Sequence, residues 1–211
     1  MKKPNILPEP WHSIYHERQS AIRQRLEDFS NIHPSKHFYE LAFCLLTPQS
    51  SAANAELTIH ALERDGFFQN PFDPTSYLRD PKHYIRFHNT KAKRLLAARE
   101  SFDELAHHLI NPKLAAEAKR EIVLARINGL GMKEASHFLR NIGVRNLAIL
   151  DRHIFKHLKR LGVIKEIPKS VTKKRYLEIE KKWRKYASKI GIPLDELDLL
   201  FWSMETGEIR K

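Results

Sequence analysis

Apolar residues recur at three- and four-residue intervals along nearly the whole chain, and no apolar–polar alternation runs long enough to demand a strand. Ile14, Ala21, Ile22, Leu26 and Phe29 predict a first helix ending between Ser30 and Pro34. Phe38 to Leu46 is apolar on nearly every side, the pattern of a buried central helix. Thr47-Pro48-Gln49-Ser50 breaks it, and Ser50 or Ser51 caps a helix with Leu57, Ile59, Ala61 and Leu62 inside. Asn70-Pro71 and Asp73-Pro74 mark a loop. Asn89 is expected to cap a helix through Leu95, Leu96 and Arg99, and Asn111-Pro112 to open another that runs to about Ile127. A short helix then ends at Asn141, with Gly143 as its stop. Leu147 to Leu150 forms a brief extended link, and Asp151 caps a helix that ends near Gly162. A basic helix follows from about Thr172 to Ile190, and a last one from Asp195 to Met204. The fold class this predicts is all-α.

Composition narrows the field. With 42% hydrophobic residues in 211, a real core is within reach and disorder is excluded. The longest apolar run, Leu41 to Leu46, is too short for a membrane span, and no secretory segment follows Met1-Lys2-Lys3-Pro4-Asn5. These features place the chain inside the cell with no membrane partner; the expectation for it is a monomer in the cytoplasm, beside the nucleoid of a prokaryotic-type cell. The single cysteine, Cys44, excludes an intrachain disulfide and an all-cysteine cluster. None of the 12 histidines has cysteine or carboxylate partners at a familiar ligand spacing, so neither a metal nor another cofactor is expected. Charge says more. Between Arg152 and Lys189 stand 14 Lys/Arg against three acids, so nearly all of the +12 net charge falls on one stretch. A solvated helix face gives such runs, but an excess this one-sided points to a polyanion, and nucleic acid is the common intracellular choice.

The chemistry gathers around Ile127-Asn128-Gly129-Leu130-Gly131-Met132-Lys133-Glu134-Ala135. Two helices meet there at a tight turn with glycine at 129 and 131, the helix-hairpin-helix pattern. Glycine admits positive φ and lets a ligand approach the backbone. The following helix offers N–H groups and the positive end of its dipole, which together hold a backbone phosphate without reading sequence. Two glycines also simply stop one helix and start the next; the flanking helices and the local charge favour phosphate binding. Lys133 lies in the first turn, where a cation does nothing for the helix. The same field favours the neutral amine that a nucleophile needs. Asp151 follows 18 residues later. Capping alone explains it, yet a carboxylate there is also suited to stabilise a cationic sugar or to deprotonate the lysine.

Gly129-Leu130-Gly131-Met132-Lys133 with Leu150-Asp151-Arg152-His153 resembles the signature of the helix-hairpin-helix DNA glycosylases. Leu45 to Ser50, Arg86-Phe87-His88-Asn89, Lys133 to Asn141 and Glu205-Thr206-Gly207 resemble, more closely, the compact archaeal-type 8-oxoguanine DNA glycosylase/lyases. The likeness covers roughly residues 38 to 211. It implies two helical subdomains flanking a DNA-binding cleft, 35–145 ending in the hairpin and 1–34 joined with 146–211. It implies extrusion of a damaged guanine from duplex DNA. It assigns the nucleophile to Lys133, the essential carboxylate to Asp151, and discrimination of 8-oxoguanine from guanine to Lys211. For Gln49, entry into the duplex and helix capping both stand. For Trp202, stacking on the extruded base and core packing both stand. Arg86 and Phe87 are candidates for the lesion pocket, and Gly129, Gly131 and Arg152 for phosphate contacts. Three rivals remain: a non-catalytic DNA-binding module, a water-using glycosylase, and an endonuclease III-like enzyme for oxidised pyrimidines. The last group mostly carries a four-cysteine cluster that this chain lacks.

Overall fold

A computed structural model describes residues 6–210. Among these the regular structure is helical: ten α-helices and two short 3-10 turns. The chain divides into two compact units. One takes in the chain through Asn31 together with Gly143 onward; the other is Ile32–Ile142.

The second unit is organised around α2 (His37–Leu46), whose ten residues are all buried, the polar His37 and Glu40 among them, in keeping with its largely apolar sequence. Helices α3 (Ala52–Arg64), α5 (His88–Leu109) and α7 (Met132–Asn141) pack on it. The short α4 (Thr75–Arg79) packs on α3 and α5, and α6 (Ala116–Arg126) lies against α5 and α7. Phe38 anchors an aromatic group with Phe67, Phe68 and Phe102, ring centroids 4.9–6.1 Å apart. Cys44 is fully buried here, and burial pushes its thiol well above the usual range, an inert core residue.

The first unit is built on α10 (Leu194–Thr206), which packs against α1 (Trp11–Ser30), α8 (Arg152–Arg160) and α9 (Lys173–Ile190). Trp183, Phe201 and His157 form a near-parallel stack through its core. Helix α9 divides cleanly. Tyr176, Ile179, Glu180, Trp183 and Ala187 face inward, whereas Lys173, Lys174, Lys181, Lys182, Lys185 and Lys189 are exposed. No helix among the described residues is long and apolar enough to cross a membrane.

Several expected helix ends differ. Asn89 does not cap α5: the helix starts at His88, two residues earlier than that cap would set, after Phe87 in a left-handed conformation, and runs on past Arg99 to Leu109. Asn111-Pro112 opens no helix. Asn111 Oδ1 instead accepts the Lys113 N–H in a local turn, and α6 begins at Ala116. Leu57, expected inside α3, is 52% exposed. Ser51, one of the two expected caps, does cap that helix through the Asn54 N–H.

Candidate active site

Helices α6 and α7 meet in the expected hairpin. They are tied at depth by Arg120, almost fully buried, whose Nη1 donates to Ser136 Oγ at 3.0 Å. At the turn Gly129 has φ +100°. That backbone conformation favours glycine; a Cβ there would stand 2.5 Å from Arg94 Cδ and 2.6 Å from Arg94 Nε, so the arginine side chain laid across the turn would have to shift. Gly131 differs from expectation. Its φ of −94° and ψ of −179° are ordinary extended backbone. What favours a small residue is Glu134, whose Oε2 accepts the Gly131 N–H at 3.2 Å and would lie 3.0 Å from a Cβ. As N-cap, Gly131 brings no side chain to the first-turn N–H groups of α7. Lys133 stands in that turn, its side chain 35% exposed and its Nζ 3.4 Å from Glu134 Oε1. One glutamate thus shapes the turn and gives the lysine a local acidic partner.

Asp151 is delivered by the extended link after Asn146. With no strand beside it, the link's backbone is satisfied by side chains from α9 and α10. Both Asp195 carboxylate oxygens accept the Asn146 N–H at 3.0 and 3.1 Å, and Arg184 donates to the Asn146 carbonyl. Glu180 Oε1 accepts the Ala148 N–H at 2.8 Å. The Tyr176 hydroxyl donates to the Ala148 carbonyl at 2.5 Å and accepts the Leu150 N–H at 3.2 Å. Asn146 itself has φ +68°, in the left-handed region that asparagine tolerates better than most residues. At the end of the link Asp151 caps α8: its Oδ1 accepts the N–H groups of His153 and Ile154, both at 2.8 Å. Its Oδ2 accepts the Trp202 indole N–H at 2.9 Å. Three donors from two helices therefore fix the carboxylate's orientation. For Trp202 the structure adds a contact that neither expected reading contains, since its polar edge holds Asp151.

Behind Asp151 and Trp202 lies a charged cluster centred on Glu205. Lys156 Nζ donates to Glu205 Oε2 at 2.8 Å, and His153 Nδ1 lies 3.2 Å from the same oxygen. Arg152 Nε donates to His153 Nε2, so that ring carries its proton on Nδ1, pointing at the glutamate. His157 Nε2 is 3.4 Å from Glu205 Oε1, and its Nδ1 accepts the Trp11 indole N–H at 2.8 Å. The Lys156 hydrogen bond, with help from His153 and His157, holds the Glu205 carboxyl at about 2, well below its ordinary 4.5. Burial disfavours the charged form of His157 and lowers its pKa.

This helical plan matches known proteins. The sequence profile of one family, described as 8-oxoguanine DNA glycosylase, spans residues 22–192. The chain belongs to the 8-oxoguanine DNA glycosylase family. It is 42% identical over its whole length, and the whole of the relative's, to an 8-oxoguanine DNA glycosylase/AP lyase of Fusobacterium nucleatum. It superposes on the crystal structure of the 8-oxoguanine DNA glycosylase of Thermotoga maritima with a TM-score of 0.82, at 34% identity and covering 95% of this chain and 96% of that one. It superposes comparably on the Methanocaldococcus jannaschii 8-oxoguanine glycosylase/lyase bound to a 15mer DNA containing 8-oxoguanine. That TM-score is 0.80 at 31% identity, with coverages of 94% and 98%.

Of the other residues predicted from the sequence of this glycosylase-family chain, Gln49, Arg86 and Phe87 belong to the unit Ile32–Ile142 and Arg152 to the other. Gln49, exposed in the turn after α2, has φ +58°, and Phe87, 53% exposed before α5, has φ +60°. Gln49 caps no helix; Ser51 does that. Arg86 lies over the Phe87 ring, its guanidinium carbon 5.4 Å from the centroid. Arg152 is exposed at the start of α8. Lys211 lies outside the described residues. Among those described, no group of three His, Cys, Asp or Glu side chains is placed to hold a metal ion. The residues missed are those acting through others: Glu134, Tyr176, Glu205 and the indole N–H of Trp202. One signal for Glu205 stands in the sequence. His153, Lys156 and His157 share a face of α8 by their spacing, and Trp202 and Glu205 share one of α10.

Proposed function

We propose that this chain excises 8-oxoguanine from duplex DNA and then cleaves the strand on the 3′ side of the abasic site, as a bifunctional glycosylase/AP lyase of base excision repair. The observation that carries the reading is family membership joined to Lys133 in the hairpin: a water-using glycosylase has no need of an amine there. Nucleic acid is reached first by charge, with the Gly129–Gly131 turn and Arg152 taking backbone phosphates. The damaged nucleotide is extruded, because its glycosidic carbon is inaccessible within the stack.

The Lys133 amine attacks C1′ with its lone pair. The C1′–N9 bond breaks, its electrons leave with the base, and the base takes up a proton. Asp151 stabilises the positive charge that develops on the sugar, a task for which a carboxylate held by three fixed donors needs no reorganisation. The attacking nitrogen loses a proton, the sugar ring opens, and an imine joins Lys133 to C1′. Removal of a C2′ proton then expels the 3′ phosphate, and water releases the lysine. Glu134, within 3.4 Å of Lys133 Nζ, fixes where the amine begins. Trp202 and Phe87 with Arg86 supply the surfaces for the extruded base, and Lys211 reads the lesion.

Two duplexes differing only in the lesion test the substrate. Base release from the 8-oxoguanine duplex, with little from a thymine-glycol duplex, is the expected result. The reverse preference would instead establish an enzyme for oxidised pyrimidines. Removing Lys211 is expected to slow release of 8-oxoguanine far more than nicking of a preformed abasic site; equal losses would deny it a part in recognition.

A further inference from the structure

Lys91 is a cation in the wrong place for a surface residue. It lies in α5, 3% exposed, and its Nζ meets three acceptors: the Leu46 carbonyl at 2.7 Å, the Pro48 carbonyl at 2.7 Å and Ser50 Oγ at 3.1 Å. These exhaust the donors of an ammonium group. All three lie at the end of α2 and in the turn that follows it, on either side of Gln49. The Lys91 backbone reaches the other way, its N–H bonding to the Phe87 carbonyl at 2.9 Å. Ser50 Oγ closes the loop by also accepting the Arg86 N–H at 3.0 Å. One residue therefore joins the two turns that carry Gln49 and Phe87.

Both turns need holding. Gln49 and Phe87 are two of three non-glycine residues with positive φ among those described, and each points an exposed side chain outward. Such a backbone persists only where its surroundings over-determine it, and it collects at functional sites. An apolar residue at 91 would fill the space without desolvating a charge, but it would leave the Leu46 and Pro48 carbonyls without this donor and Ser50 Oγ with only the Arg86 N–H. The ammonium is kept at a cost. Burial pushes it down to about 8, and Arg94 and Arg86 push the same way.

We infer that Lys91 is a positioning residue for base extrusion: it locks the Gln49 turn and the Arg86–Phe87 turn into one rigid edge that engages duplex DNA where the base leaves the stack. This rests on the base-excision reading above. The DNA feature involved is the stacked, paired nucleotide, since one already unpaired needs less help to leave.

The test uses the full chain under single-turnover conditions on two substrates, 8-oxoguanine paired in a duplex and 8-oxoguanine facing an abasic gap. Lys91→Met is expected to slow release from the paired duplex by about tenfold and from the gapped one by no more than about twofold. In a Gln49→Ala background Lys91→Met should cost much less than in the parent, because both changes disable one device. Lys91→Arg, which keeps a charge and donors, should recover part of the loss. If Lys91→Met does not fold, Ser50→Ala removes the same joint from outside the core and is held to the same pattern. Equal slowing on both substrates, or full additivity with Gln49→Ala, overturns the inference. A parent chain that releases 8-oxoguanine from neither substrate overturns the base-excision reading instead.

Discussion

Asp151 has a structural role beside the chemical one proposed for it. Its Oδ1 caps α8, worth about 1 kcal/mol in an ordinary helix, and its Oδ2 is held by the Trp202 indole. Removing the indole donor alone is therefore informative. Trp202→Phe keeps a ring on α10 but loses the N–H bond. A hydrogen bond to a charged group is worth about 1.5–3 kcal/mol, so excision should fall by roughly 10- to 100-fold with the fold intact. Single-turnover base release alongside a thermal melt checks this; an unchanged rate would leave the indole bond without a catalytic consequence. Lys133 and Asp151 stand out in the sequence because each occupies a helix start defined by local signals, glycine before one and an extended apolar link before the other. The bond from Trp202 has no such signal, since the two residues are 51 positions apart and meet only through packing. At Gly131 the local signal misleads: glycine suggests a special backbone, while the actual constraint is the nearby carboxylate of Glu134.

At the scale of elements, α8 and α10 are locked together by Glu205. A carboxylate whose pKa falls from 4.5 to about 2 on folding stabilises the fold above pH 4.5, and that contribution is lost as pH falls through about 2. His157 adds to the loss, because its depressed folded value makes the unfolded chain the better proton acceptor below pH 6.5. Glu205→Gln should lower the melting temperature at pH 7 and flatten its decline between pH 4.5 and 2. A variant melting in parallel with the parent across that range would show that Glu205 carries none of the acid sensitivity. The helices themselves are readable wherever one face is apolar over several turns, as in α1, α2, α9 and α10. Their ends are less so. Asn89 and Asn111-Pro112 have the composition of helix starts, but the strained Phe87 turn, held through Lys91, moves one start and a local asparagine turn displaces the other. The link before Asp151 is visible as apolar and extended. The side chains that replace its missing strand partner lie 26 to 49 residues away and leave no periodic trace.

For the molecule as a whole, charge sets how DNA is met. The inner face of α9 is committed to the core and leaves six lysines outward, so the basic excess of the sequence is a surface and not a set of buried pairs. Neutralising Lys181, Lys182 and Lys185 together should weaken binding to damaged and undamaged duplexes alike. It should reduce the slope of log K against log salt by up to about 3, one for each phosphate that no longer meets a lysine. Fluorescence anisotropy across a salt series reads this directly, and an unchanged slope would place the DNA elsewhere.

The central claim is that Lys133 is the nucleophile, and borohydride trapping followed by peptide mapping tests it most directly. The chain is incubated with a duplex carrying one 8-oxoguanine, reduced, and digested to find the residue bearing the sugar. The expected product is a covalent adduct on Lys133, absent in Lys133→Gln although that variant still binds the duplex. An adduct on another lysine, or base release with no adduct at all, would contradict the claim.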